Sequence, residues 1–169
     1  MKHWCRMQSP IGGLILVEEN GELTEIGFVD GRHPARPPQG AGEDARPFGN
    51  VIRQLEEYFA GKRRDFDLPL APHGTAFQQR VWNALLKIPF GKAVSYSDIA
   101  QRIGNPNAVR AVGLANGRNP IPVIIPCHRV IGKDGSLTGY GGGLPIKKKL
   151  LALEGIKSES ERRSLALFD

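Results

Sequence analysis

The run Asn119-Pro120-Ile121-Pro122-Val123-Ile124-Ile125-Pro126-Cys127-His128-Arg129-Val130 sets a thiol beside an imidazole at the end of an apolar stretch. A free thiol with a pKa near ~8.5 is mostly neutral at pH 7, so a nucleophilic Cys127 needs a base or a positive environment. His128 supplies the base, directly or through a water. The imidazole in turn needs a carboxylate to fix its tautomer, and Asp134 and Glu154 are the nearest in sequence. The apolar residues between prolines predict a buried strand. Side chains of neighbouring residues on a strand point to opposite faces, so Cys127 and His128 cooperate only if the strand ends at Pro126. The competing reading of a lone cysteine is a buried structural one.

The chemistry sits in a basic setting. The chain has 23 Lys and Arg against 17 Asp and Glu, a net charge of +6. Residues 1–79 hold 9 basic and 11 acidic side chains, whereas 80–150 hold 11 basic ones against only Asp98 and Asp134, a local excess of +9. Such a block is the footprint of a nucleic-acid-binding region or of a solubilising basic face. A hydrophobic content of 40% sustains a core. No apolar run approaches the ~18 residues of a membrane span, and the N-terminus lacks a signal-like stretch. Cys5 and Cys127 are the two cysteines, which excludes a disulfide framework and a four-cysteine zinc site. A cytoplasmic protein without metal, cofactor or membrane partner is expected.

The elements that must position Cys127 fall into two units, 1–74 and 75–169, with the boundary at Pro72-His73-Gly74. In the first, apolar runs flank Asn20-Gly21 as a hairpin over 11–28, and Gly31 to Pro47 is a loop. Val51, Ile52, Leu55, Tyr58 and Phe59 recur at helical spacing before Gly61, and Asp65 to Leu70 is extended. In the second unit, Thr75 and Gln78 form a capping box for a helix bearing Val81, Trp82 and Leu85. Ser97-Asp98 caps a short helix to Arg102, and Asn107 opens another to Asn116. Two short helices joined by a tight Gly-containing turn make a helix-turn-helix. A last helix, with Pro145 in its first turn, carries Leu150, Leu151 and Leu153 inward and ends before Gly155. The architecture is therefore α+β.

The string Pro126-Cys127-His128-Arg129-Val130 resembles the active-site signature of the O6-alkylguanine-DNA alkyltransferases, or methylated-DNA–protein-cysteine methyltransferases. Phe77-Gln78-Gln79-Arg80-Val81-Trp82, Ser95 to Ala100, Arg110-Ala111-Val112-Gly113, Asn119-Pro120, Gly139 to Leu144, Lys147 and Leu150 to Gly155 follow in that family's order and spacing. The resemblance is strong over about 75–156 and weak over 1–74. It implies a small N-terminal antiparallel sheet with a helix, ribonuclease-H-like, packed on a mostly helical domain with the helix-turn-helix.

The implied function is direct-reversal DNA repair. The damaged base flips out of the duplex, and the alkyl group of O6-alkylguanine, or of O4-alkylthymine, moves once to Cys127. By position, His128 deprotonates Cys127 through a water and Glu154 orients His128. Tyr96 helps swing the nucleotide out and donates a proton to the leaving base. Arg110 fills the vacated stack, while Ala111, Gly113 and Asn116 share its DNA-binding helix. Asn119 braces that helix against the active-site segment. Tyr140, Gly141, Val130 and Lys147 belong to the substrate pocket, although the run Lys147 to Lys149 also reads as a solvated basic face. Some members carry a serine where Gly141 stands, so a lost hydroxyl donor and a wider pocket are expected. Double-stranded DNA containing alkylated guanine is the expected partner of a monomer. The alternatives are a catalytically silent lesion-recognising DNA-binding protein, and a cysteine hydrolase using Cys127 and His128.

Overall fold

A computed structural model describes residues 1–137 and 139–156. Residues 157–169, counted above in the second unit, lie outside the described residues. The fold is α+β. Asn20 and Gly21 both take positive φ, 54° and 86°, which is the geometry a tight hairpin turn demands. Across that turn β2 (Gly12–Glu19) pairs antiparallel with β3 (Glu22–Phe28), with a bulge at Val17/Glu18.

Two strands of this sheet were missed in the sequence. β1 (Lys2–Ser9) pairs antiparallel with β2 along its full length. Its buried Cys5 and Met7 alternate with exposed Arg6 and Gln8, too short and too polar a signal to stand out. β4 (Gly42–Glu43), inside the expected loop, adds a two-residue parallel edge to β1. The sheet order is β3-β2-β1-β4.

Helix α1 (Gly49–Phe59) buries Val51, Leu55 and Tyr58 in one core with Cys5, Leu14, Leu16 and Phe48. The stretch to Leu70 forms a single parallel bridge with Leu23, not a strand. The expected capping box does open α2 (Ala76–Leu85): Gln78 N–H donates to the Thr75 hydroxyl at 3.1 Å, and Thr75 N–H to the Gln78 side chain at 2.9 Å. After β5 (Val94–Ser95) comes α3 (Tyr96–Arg102), capped by Ser95 and not by Ser97. Asp98 closes that box, so Tyr96 becomes the first residue inside the helix.

Helix α4 (Val109–Gly117) begins two residues later than expected and has no side-chain cap. Trp82 Nε1 donates to the Ala115 carbonyl at 2.9 Å and locks α2 against α4. β6 (Val130–Ile131) pairs parallel with β5, and α5 (Leu144–Leu153) closes the described chain. No helix among the described residues is long and apolar enough to cross a membrane.

The two halves are stitched by backbone bonds at the pocket. Ile26 N–H donates to the Pro120 carbonyl at 2.9 Å, and Arg32 N–H to the Gly142 carbonyl at 3.2 Å.

Candidate active site

The segment 119–126 is not the strand its apolarity predicts. Pro120, Pro122 and Pro126 lack the N–H donors that a ladder needs, and the chain folds into turns instead. Asn119 replaces the missing ladder: its Oδ1 accepts from Ile121 N–H at 3.0 Å and its Nδ2 donates to the Ile125 carbonyl at 2.8 Å. Val123 sits at φ 75°, costly for a β-branched residue and held here by complete burial. Pro126, at φ −81° and ψ 63°, makes an inverse γ-turn in which Cys127 N–H reaches the Ile125 carbonyl at 2.8 Å. One turn of 3-10 helix, Cys127–Arg129, follows. The strand alternation that would separate the thiol from the imidazole is thereby abolished.

Glu154, the C-cap of α5, is the carboxylate that orients His128. Its Oε2 lies 2.6 Å from His128 Nε2, and it also accepts from Arg129 Nη2 at 3.0 Å. Oε1 accepts from Arg129 Nε at 2.7 Å and Gly91 N–H at 3.2 Å. Burial would raise the Glu154 pKa, but the hydrogen bonds from His128, Arg129 and Tyr58 prevail and hold it at about 2. An ionised carboxylate can only accept, so Nε2 carries the proton and Nδ1 holds the lone pair. Nδ1 is buried and has no hydrogen-bond partner among the described residues. Burial also pushes the His128 pKa down, with Arg129 and Lys147 in support and Glu154 opposing. The ring is a neutral base.

Cys127 is 3% exposed. Burial pushes its thiol up to about 11, while an Asn119 hydrogen bond, the Lys147 charge, a backbone hydrogen bond and Tyr140 pull the other way. The resting thiol is neutral and becomes a nucleophile only when its proton is removed. Tyr140, buried and without a well-aligned hydrogen-bond partner among the described residues, is close enough to the sulfur for each group to affect the other's titration. A cavity of about 300 Å³ has Cys127, Tyr140, Gly141, Asn119 and Asn116 in its wall.

The family description "6-O-methylguanine DNA methyltransferase, ribonuclease-like domain" matches residues 3–72, and "6-O-methylguanine DNA methyltransferase, DNA binding domain" matches 76–156. The chain belongs to this methyltransferase family. It is 51% identical over 170 residues to the methylated-DNA–protein-cysteine methyltransferase of Mycolicibacterium paratuberculosis, covering 100% of both chains. It is 50% identical over 153 residues to that of Methanosarcina acetivorans, covering 90% of this chain and 98% of the relative. The crystal structure of the Mycobacterium tuberculosis O6-methylguanine methyltransferase superposes with a TM-score of 0.84 at 46% identity over 100% of both chains. The Mycobacterium tuberculosis OGT protein solved in complex with DNA gives 0.84 at 47% identity over 99% of both.

Against this methyltransferase fold, several expected site residues lie elsewhere than the sequence suggested. Arg110 and Ala111 are exposed on α4 and Gly113 is half-buried, but Asn116 is 1% exposed and turned inward. Its Nδ2 donates to the Cys127 carbonyl at 3.4 Å, so it ties α4 to the cysteine and is not on the outer face. Tyr96 is half-buried, its ring 3.9 Å from where a Cβ on Gly113 would lie, and it does not line the cavity. Val130 and Lys147 are fully buried behind the cavity wall, so Lys147 does not belong to a solvated basic face. Gly141 does not widen the pocket by lacking a side chain. A Cβ there would sit 2.9 Å from the Gly117 carbonyl oxygen, so the glycine lets the loop close onto α4.

Sequence reasoning overlooked the contribution of the first half. Glu25, Phe28 and His33 line the cavity, and the Phe28 ring packs 6.1 Å from that of Tyr140. Tyr58 read only as a core aromatic at helical spacing, and Arg129 stood unassigned inside the signature string.

Proposed function

We propose that this protein repairs alkylated DNA by direct reversal, moving the alkyl group from O6 of guanine, or O4 of thymine, to Cys127 in a single turnover. His128 takes the thiol proton through a water at Nδ1, and Glu154 stabilises the imidazolium that forms. The thiolate attacks the alkyl carbon in line with the departing oxygen, so an S–C bond forms as the C–O bond breaks. Tyr96, at the start of α3 and outside the cavity wall, returns a proton to the leaving base once extrusion brings that base within its reach. In-line approach is obstructed in a stacked duplex, so the nucleotide first rotates into the cavity and Arg110 occupies its place. The units 1–74 and 75–169 act together, since the cavity draws on both. The partner is double-stranded DNA bearing the lesion, met by a cytoplasmic monomer.

The observation that carries this reading is the Cys127–His128–Glu154 cluster, whose only uncommitted ring nitrogen belongs to a neutral base beside a neutral thiol. Cys5 provides the contrast. Burial and the Glu43 charge both raise its pKa, to about 11, whereas Asn119, Lys147 and Tyr140 act to lower that of Cys127. A silent lesion-recognising protein has no use for the relay. Intact-mass measurement after mixing with excess duplex containing O6-methylguanine is expected to show one added methyl, mapped to Cys127. Repeated turnover would point to a cysteine hydrolase. Binding without added mass would point to the silent protein, and a methyl on Cys5 would refute the assignment.

A further inference from the structure

Tyr58 lies on α1 in the first half of the chain, 96 residues from Glu154, yet its hydroxyl donates to Glu154 Oε2 at 2.6 Å. The same oxygen holds His128 Nε2, also at 2.6 Å. Tyr58 has no solvent exposure, and its ring is wedged among Phe59, Phe66 and Phe90 with centroids at 5.4, 5.3 and 6.2 Å. The hydroxyl is thus held on one acceptor by packing.

We propose that Tyr58 is a positioning residue for the alkyl transfer, fixing the Glu154 oxygen that orients His128 and moderating its negative charge. This rests on the function proposed above. The reasoning starts from what a buried carboxylate does to a histidine. A fully charged oxygen facing Nε2–H strengthens the base, but it also favours the imidazolium before substrate arrives. Each further donor to that oxygen spreads its charge and weakens this pull. Tyr58 does so without adding charge of its own. Together with Arg129 Nη2 on the same oxygen it limits the directions left on Oε2 to His128, so that Nδ1 stays directed as the acceptor. Among the described residues the other charged or titratable groups around this cluster are Arg129 beside Glu154, Lys147 from α5, Cys127 and Tyr140 at the cavity, and Arg64, whose guanidinium lies over the Phe90 ring. Tyr58 reaches the Glu154 carboxylate from the first half, which makes that half part of the chemical machinery.

The test compares the full-length protein with Tyr58→Phe, which keeps the ring, and with Phe66→Leu, which loosens the same aromatic cluster without touching Glu154. Single-turnover reaction with the free base O6-benzylguanine is followed from pH 5 to 9, and the His128 imidazole is titrated by NMR. In Tyr58→Phe the acid limb of the rate profile and the imidazole titration should both move up, by about half a pH unit or more. In Phe66→Leu melting temperature should fall while both curves stay in place. Unmoved curves in folded Tyr58→Phe, or an equal shift in Phe66→Leu, would overturn the proposal. If wild-type protein gains no benzyl group on Cys127, the function proposed above fails, and the imidazole titration still decides the role of Tyr58. Should Tyr58→Phe not fold, wild-type protein decides by NMR: a slowly exchanging Tyr58 hydroxyl proton close to His128 Nε2–H supports the role, and its absence refutes it.

Discussion

Lys147 Nζ donates a 2.6 Å hydrogen bond to the Val130 carbonyl from a side chain with no solvent exposure. A buried ammonium is costly, and here it lies close enough to Cys127 to favour the thiolate. Lys147→Met keeps the bulk but removes the charge and leaves the carbonyl without this donor. The expected result is a Cys127 thiol that titrates higher and a roughly tenfold slower transfer, equivalent to about 1.4 kcal/mol. Stability should fall by about 1–3 kcal/mol. Alkylation of Cys127 by iodoacetamide as a function of pH, with mass mapping, checks the first part.

Arg110 stands exposed on α4, where its planar guanidinium can stack in a vacated base position. Arg110→Ala should slow transfer from duplex DNA tenfold or more, because extruding a base costs a few kcal/mol that the arginine partly offsets. Reaction with free O6-benzylguanine needs no extrusion and should change little. An equal loss on both substrates would make Arg110 structural.

Acid should destabilise the fold through two groups. The unfolded His128 takes up a proton below its ordinary 6.5, whereas the folded one resists. The unfolded Glu154 does so below 4.5, the folded one only near 2. In both cases the unfolded chain binds more protons, so stability present above these values is lost as pH falls through them. Cys127 acts in the opposite direction: its pKa is raised from 9.0 to about 11, so stability is lost as pH climbs between those values. Glu154→Gln should cost about 3–5 kcal/mol at pH 7, because it breaks a buried ion pair, and should flatten the profile between pH 4.5 and 2. Urea unfolding across pH measures both effects.

Gly141 meets the Gly117 carbonyl so closely that any Cβ must displace backbone. Gly141→Ser, although it restores a hydroxyl found in some relatives of the family, should lower stability by about 1–3 kcal/mol and slow transfer. A variant that is as stable as wild type would show that the loop is free to withdraw from α4. Thermal unfolding decides.

Binding to undamaged duplex should be steeply salt-dependent and nearly indifferent to base sequence. The 80–150 segment has a +9 excess, and the exposed face of α4 around Arg110 is made of Val109, Ala111, Leu114 and Gly117, which offer no side-chain donors to base edges. Titrations of unrelated duplexes at several salt concentrations test this, and a strong preference for one undamaged sequence would contradict it.

Local chemistry made part of this protein legible in the residues alone. Asn20-Gly21 dictates its hairpin and Thr75 with Gln78 its helix start, because turns and caps are decided by side chains within four positions. The Cys127-His128 pair, the basic block and the helix-turn-helix spacing were equally local. The run 119–126 misled because apolarity does not distinguish a strand from a buried turn, and its prolines decide only once Asn119 is seen to bond its backbone. What no local pattern could supply was convergence. By sequence spacing alone Asp134 and Glu154 were equivalent candidates to orient His128; the family resemblance pointed to Glu154, and the fold of α5 brings it within 2.6 Å. Tyr58 read as an apolar helix position, Phe28 as part of the hairpin, and Lys147 as a pocket residue or part of a solvated basic face. Their roles depend on contacts across 17 to more than 100 residues, which only the packing of the two halves creates.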